Sequence, residues 1–511
     1  MKTRLALRLG LSLYAALWIG IVPASAQNRF PLEMLNIKPV GSAPNGMPSS
    51  SRIYRAYPGL QYNIKAAVIG GNYPYSYVLS NAPSGMTVNA STGEINWPNP
   101  QGNASPTLTV TDQSGARVSG TWPITVSANG FRFIDANNGN DGGAGTLASP
   151  WRTVGRAKAA GSPGDIWVFR GGVYALQTTF GQLINPGTSR YQAYFNPSQN
   201  STIWIAYPGE TPVLDYGYGG NAGSGQYFPT ISMEGGTTYV EGFETRNTQH
   251  FFFITGGIGQ GPQFRKLTMH TQGYGWQESG SNASFLMFEH ASPQSYGSVI
   301  TDSVIYDGGL GVKHYDLLKP LISDNQFYDL INGIEEKAGP TQFTIRGNRF
   351  TNIGRSGALE WAIGGNMNSQ NGYLVTGEVC FNLVRMANLS DEAYNFNWSS
   401  NSGTIAAYRN TFIGRVTAIL VDSGDGPFTI NNNVIVNNDN VPNRVWFDQV
   451  TDASRITISN NLVGDPSANI VDANGNLTGA YAQYVGTRGY QIGAGGGTTL
   501  PNAPRNLRVT P

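Results

Sequence analysis

Ser303-Val304-Ile305, Asn325-Gln326-Phe327, Asn348-Arg349-Phe350, Asn382-Leu383-Val384, Asn410-Thr411-Phe412, Asn433-Val434-Ile435 and Asn461-Leu462-Val463 repeat one short phrase, a small polar residue followed by strand formers. They follow one another at steps of 22, 23, 34, 28, 23 and 28 residues. A period in this range means stacked units, none of which can bury its apolar face alone. The units are rich in Val, Ile, Thr, Phe and Asn, with few Ala, Leu or Glu runs, so they are strands rather than helix pairs. At a bend, an Asn can hydrogen-bond to its copy in the next coil and satisfy groups that would otherwise be buried unpaired. These Asn are therefore read as structural and carry no catalytic role.

The rest of the chain agrees with a turn-rich β protein. Of 511 residues, 66 are Gly and 29 Pro, while only 12% are charged, which argues against a helical bundle, a coiled coil or a charged disordered tail. Lys2, Arg4 and Arg8, an apolar stretch from Leu9 to Val22, and Ala24-Ser25-Ala26 follow the order of a secretory signal peptide, with cleavage expected after Ala26. Residues 1–26 are thus read as a leader, which implies a secreted or periplasmic protein without a membrane anchor. Its removal takes out three basic and no acidic residues, moving the formal charge from +1 to about −2 and arguing against a nucleic-acid partner. Cys380 is the single cysteine, so the fold relies on a large core rather than an internal disulfide, and a packed thiol is expected in Glu378-Val379-Cys380-Phe381. No phosphate-binding Gly-rich loop, zinc pattern or Gly-x-Ser-x-Gly elbow occurs.

Between about Pro39 and Ala128, short alternating strands are separated by turn residues, as in Tyr73 to Leu79, Leu108 to Asp112 and Thr121 to Val126, which predicts a small β-sandwich. Within it, Ala82-Pro83-Ser84-Gly85-Met86 followed by Ser91-Thr92-Gly93-Glu94-Ile95 resembles the immunoglobulin-like, cadherin-like modules of bacterial exported proteins. That resemblance implies a spacer or a surface-binding accessory.

Further on, Phe133-Ile134-Asp135-Ala136-Asn137-Asn138-Gly139-Asn140-Asp141, Gly145 to Trp151 and Pro163-Gly164-Asp165-Ile166-Trp167-Val168-Phe169 resemble the first coil of exported right-handed parallel β-helix proteins of the pectate-lyase-like superfamily. A short helix over Thr153 to Ala160 would cap its open end. The expected architecture is all-β: a sandwich at 27–129, a right-handed parallel β-helix solenoid at 130–497 and a tail at 498–511.

Aligning the coils on their apolar residues stacks Phe288-Glu289-His290, Val312-Lys313-His314, Ile334-Glu335-Glu336, Leu359-Glu360-Trp361 and Phe396-Asn397-Trp398. Side chains alternate faces along a strand and neighbouring coils lie ~4.8 Å apart, so this column would gather Glu289, Lys313, Glu335, Glu360 and Asn397 on one outer face, with Lys337 beside them. One reading is an ordinary solvated face, whose exposed ion pairs contribute ~0 to 1 kcal/mol each. The other is a groove for an extended polymer, with Trp276, Trp361, Trp398 and Tyr315 as sugar platforms, and His290, Asn397 and Arg355 as further contacts.

The superfamily resemblance implies a carbohydrate-active enzyme, first of all a polysaccharide lyase acting on an anionic, uronate-containing polymer and working as a monomer. In β-elimination the uronate carboxylate is neutralised by a cation, and a neutral Lys or His then removes the C5 proton. Lys313 is the first candidate base and Lys337 the second; His314 follows Lys313 directly, so alternation turns one of the two inward. Glu335, Glu336, Glu360 and Glu289 offer the oxygen ligands that Ca²⁺ prefers. Two alternatives stay open: a glycoside hydrolase in which Glu335 and Glu360 on adjacent coils form a carboxylate pair, and a non-catalytic glycan-binding or adhesion protein.

Overall fold

The computed structural model describes residues 30–38, 52–176, 192–217, 230–234, 238–248, 251–255, 261–272, 284–288, 295–296, 298–315, 317–337, 341–354, 361–366, 375–387, 392–397, 404–413, 417–423, 427–436, 445–447, 454, 456–464, 478, 480–481 and 488–490. The leader at 1–26 and the tail at 498–511 lie outside them.

Each coil of the solenoid lays down strands in three columns, and successive coils pair in parallel. One column runs from Phe131–Ile134 to Ile456–Ser459 within a 14-stranded sheet. The other two merge across a bend into a 19-stranded sheet, one beginning at Gly172–Ala175 and ending at Leu462–Gly464, the other running from Gln192–Phe195 to Val445–Phe447. Parallel crossovers of this kind are right-handed in nearly all sheets. Together these are the right-handed parallel β-helix expected from the repeats.

The repeated Asn build one of the bends. At Asp302, Asp324, Phe381, Arg409 and Asn432 the backbone enters the left-handed region, with φ between 54° and 60° apart from Arg409 at 53°. Each is followed by a member of the ladder. The Asn325 backbone N–H and side-chain amide both donate to Asn348 Oδ1 at 3.0 Å, and the pattern continues from Asn348 to Asn382, Asn410, Asn433 and Asn461. Each amide also donates to a carbonyl of a neighbouring strand, as Asn382 does to Ile345 O at 3.0 Å. Buried polar groups are thereby satisfied by their copies one coil away.

The core is a continuous apolar column from Ile134 and Trp167 through Phe264, Phe327 and Phe350 to Phe428 and Ile435. Aromatic rings stack along it, Trp167 on Trp204 at 5.5 Å and Phe327 on Phe350 at 4.9 Å. The helix Val154–Ala160 closes against the first coil through Val154 and Ala157, and its cap Thr153 accepts from the Arg156 N–H at 3.0 Å. Cys380 is fully buried, and burial pushes its thiol up, as expected of a packed core residue.

The sandwich comprises two antiparallel three-stranded sheets, Tyr62–Lys65 with Glu94–Trp97 and Thr87–Val88, and Ser76–Ser80 with Thr107–Thr111 and Arg117–Thr121. It is not a free spacer. Its core around Tyr62, Ile64, Trp97 and Trp122 is continuous with Phe131, Phe133, Ile166, Val168, Ile203, Ile205 and Tyr239, the outward residues of the first solenoid strands. Farther along, charge takes over: Lys65 bridges Asp302 and Asp324 at 2.7 and 2.8 Å, and Arg265 reaches Glu94 and Glu241 at 2.7 and 2.9 Å. Arg346 is buried in the same interface: it donates to Tyr75 Oη and Val68 O and lies over the rings of Tyr73 and Tyr75.

Candidate active site

Two long strands, Val304–Tyr315 and Gln326–Lys337, run through the bend of the large sheet and pair in register. The pairing sets Val312 beside Ile334, Lys313 beside Glu335, His314 beside Glu336 and Tyr315 beside Lys337. Because side chains alternate, the first and third of these pairs face the core and the other two face outward.

On the outer face, Glu335 is shared by two lysines, with Oε2 2.9 Å from Lys313 Nζ and Oε1 3.0 Å from Lys337 Nζ. Both ammonium groups stand over the ring of Tyr315, at 5.4 and 5.9 Å from its centroid. The cluster opens to solvent through Lys337, whose side chain is 30% exposed, while those of Glu335 and Lys313 are 11% and 3% exposed. Burial pulls the Lys337 ammonium down, but the charge and hydrogen bond of Glu335 outweigh it, so its pKa is raised and it stays cationic. Among the described residues, one carboxylate stands between the two ammonium groups.

The inner face carries a second pair. His314 Nδ1 and Glu336 Oε1 are 2.9 Å apart, both fully buried, with the His314 ring 4.5 Å from that of Phe288. His314 is thus the inward member of its Lys-His dipeptide and does not share the outer site. Glu335 and Glu336 lie on opposite faces of one strand, so they cannot ligate the same ion. Among the described residues no group of three His, Cys, Asp or Glu gathers around a point where a metal could sit. The other two expected Ca²⁺ ligands, Glu289 and Glu360, lie outside the described residues.

The aligned column also needs two corrections of register. Lys313 pairs with Met287, and Phe288 pairs with His314, so the strand Ser284–Phe288 is displaced by two residues from the expected alignment. The strand is buried at every position, leaving no polar alternation from which to set its register. On the other side, Glu335 pairs with Gly364, and Gly364 with Asn395. Glu360 therefore does not take the place beside Glu335, and Asn397 pairs with Asn366 instead. Trp361 sits two residues before the core residue Ile363, on the same side of the strand, and is half-buried rather than an outer platform. Glu289, His290, Trp276, Arg355, Glu360 and Trp398 lie outside the described residues.

The glycines that replace the expected Glu have a local purpose. Gly365 has φ +128°, and a Cβ there would stand 2.6 Å from Glu336 O and 2.9 Å from Glu335 Cγ. Bare backbone at this position leaves room on the next coil for the Glu335 side chain, whose Cγ packs against it.

A neighbouring stack was not anticipated. The rings of His270, Tyr306 and Tyr328 lie nearly parallel on successive coils, at 4.9 and 4.5 Å. The recurrence of Tyr-Asp at 306–307 and 328–329 was its available signal.

Residues 38–127 match the family model described as "Putative Ig domain". No curated protein matches the chain in sequence. Among solved structures, a rhamnogalacturonan lyase is 14% identical with a TM-score of 0.44, the match covering 70% of this chain and 99% of that one. The pectate lyase Pel9A is 16% identical with a TM-score of 0.38, covering 65% and 78%, and the Yersinia enterocolitica family 28 exopolygalacturonase is 9% identical with a TM-score of 0.36, covering 80% and 97%. The chain is an Ig-like domain docked along the flank of a right-handed parallel β-helix.

Proposed function

We propose that the protein is an exported carbohydrate-active enzyme, a polysaccharide lyase that cleaves a uronate-containing chain by β-elimination at the Lys313, Glu335, Lys337 and Tyr315 cluster. The observation that carries this reading is the sharing of Glu335 by two lysines on the outer face of the solenoid. Placing a carboxylate and two ammonium groups in a largely desolvated patch is costly unless the charges are used or fully paired, and the second ammonium group matches a substrate carboxylate.

The roles follow from position. Lys337, the exposed and firmly cationic member, receives the uronate carboxylate and withdraws charge from C5. Lys313 passes its proton to Glu335 Oε2, 2.9 Å away, as the substrate displaces water, and its neutral amine takes the C5 proton. The C5–H electron pair becomes the C4–C5 double bond, the C4–O4 bond breaks, and the proton on Lys313 is returned to the departing O4. Tyr315 offers its ring edge to the sugar. A paired-carboxylate hydrolase fits less well, because both oxygens of Glu335 are engaged by lysines and Gly364 occupies the adjacent register position.

Incubation with a panel of uronate-containing polysaccharides, followed by ultraviolet absorbance, tests the reading: a lyase generates an unsaturated uronate chromophore. New reducing ends without that absorbance would point to hydrolysis, and an unchanged chain length to a binder.

A further inference from the structure

The sandwich and the solenoid enclose a cleft of about 550 Å³ on the flank, formed on one side by Gln61, Asn63, Thr87 and Asn96 and on the other by the turn Tyr207-Pro208-Gly209 and by Glu241. Its volume lies within the ~300 to 1,000 Å³ of small-ligand sites. Strand pairing aligns Thr87, Asn96 and Asn63 across three adjacent strands of the sandwich, so hydroxyl and amide groups form one polar strip facing the solenoid turn.

The carboxylates in this cleft are all neutralised by protein partners, while Arg52, which also lines it, is buried, donates to Arg55 O at 2.8 Å and lies over the Tyr62 ring at 4.6 Å. Glu94 is held by Arg265 and Lys266 at 2.7 and 2.6 Å, Glu241 by Arg265 at 2.9 Å and the Tyr239 hydroxyl at 2.6 Å, and Glu210 by Arg170 at 2.6 Å and the Gly171 N–H. A cationic ligand would find no free carboxylate there among the described residues, and Arg52, only 4% exposed, is engaged by a backbone carbonyl and a ring. The polar strip is less committed. Asn96 accepts from Gln61 Nε2 at 2.6 Å, while the Asn96 amide N–H₂, the Gln61 side-chain oxygen and the Thr87 hydroxyl have no partner among the described residues. Leu60 and Val88 add an apolar surface beside them. Neutral donors and acceptors next to an apolar patch suit a pyranose, which presents hydroxyls at its rim and C–H groups on its face.

We propose that this cleft binds a short neutral oligosaccharide, as a site separate from the Lys313 cluster. It uses residues of both domains, which gives the fixed docking of the sandwich a function beyond covering an edge. The site does not rest on the lyase reading, because it is tested by binding and not by turnover.

The test is titration calorimetry on the full chain with cellotetraose, xylotetraose, β-1,4-galactotetraose and, as the acidic comparison, tetragalacturonate. At least one neutral tetrasaccharide should bind, and Thr87→Val with Asn96→Ala should weaken it by about tenfold, the loss expected for one to two hydrogen bonds. Hydroxyl-radical footprinting of the unaltered chain, which needs no variant to fold, should show ligand protection of residues 60–63, 87–96 and 205–210 together. Binding of no neutral probe, binding indifferent to both substitutions, protection of one wall only, or variant-sensitive binding of tetragalacturonate alone would each overturn the proposal.

Discussion

His314 Nδ1 stands 2.9 Å from Glu336 Oε1 inside the solenoid, directly behind the outer contact of the same length between Lys313 and Glu335. One pair of neighbouring strands therefore carries a polar side-chain pair on each face. The inner pair has little compensation: among the described residues His314 Nε2 and Glu336 Oε2 have no hydrogen-bond partner. Removing one member leaves the other buried without its partner, which costs about 1–3 kcal/mol for an unsatisfied polar group. Glu336→Gln and His314→Ala should each lower the thermal midpoint markedly, whereas His314→Phe combined with Glu336→Leu should lower it less. Calorimetry of the three variants checks this, and equal losses in all three would contradict it.

The Asn ladder makes a sharper local prediction. Asn382 Oδ1 accepts from both the backbone and the side chain of Asn348, and its own amide reaches Ile345 O and Asn410 Oδ1. Asn382→Ala leaves several of these groups unsatisfied in a buried bend, at about 1–3 kcal/mol for each. Hydrogen exchange should accelerate first at Asn348 and Asn382, the N–H groups that lose their acceptor or lie at the altered bend, ahead of the coils at either end.

Gly365→Ala is expected to damage the site more than its size suggests. The new methyl meets Glu336 O and Glu335 Cγ at distances a real Cβ does not tolerate, at a backbone angle that disfavours any side chain. A loss of about 1–3 kcal/mol in stability, from chemical denaturation, should accompany a fall in activity as Glu335 is displaced from the lysines.

Docking of the sandwich should depend on pH with a definite sign. Burial pushes Glu33, Glu94 and Asp302 up, but their Lys and Arg partners outweigh it and hold them below their ordinary 4.5, 4.5 and 3.8. Their contribution is fully present above those values and is lost as pH falls through the lower native ones. Burial pulls Lys65 down, but Asp324 and Asp302 outweigh it and raise it above 10.5, so its contribution is present below 10.5 and lost as pH rises through the native value. Stability should therefore fall in acid below about pH 4.5 and again in strong base. In Asp302→Asn the acid slope of the thermal midpoint should be shallower.

How much of this was readable beforehand depended on whether a residue's neighbours repeat. The bend Asn recur at fixed offsets because each one needs the next, so the solenoid and its ladder were legible. Lys313 and Glu335 align because the two coils pair at a constant offset of 22 residues, marked by the Tyr-Asp repeated at 306–307 and 328–329. Glu360 was misplaced because Leu359-Glu360-Trp361 imitates a strand's alternation, whereas the paired strand begins at Trp361 and meets Glu335 at a glycine. The core-facing pair of His314 and Glu336 runs against the rule that charges face water. The docked sandwich depends on contacts such as Arg265 with Glu94 and Lys65 with Asp324, separated by 171 and 259 residues and without any periodicity to announce them.

The most direct measurement is the ultraviolet absorbance of an unsaturated uronate product, followed over time for the wild-type chain, Lys313→Met and Lys337→Met on the polysaccharide that the wild type cleaves best. The account predicts product from the wild type, a loss of at least about 100-fold in kcat for Lys313→Met, and mainly a raised KM for Lys337→Met. Full activity in Lys313→Met, or depolymerisation by the wild type with no such absorbance, would contradict it.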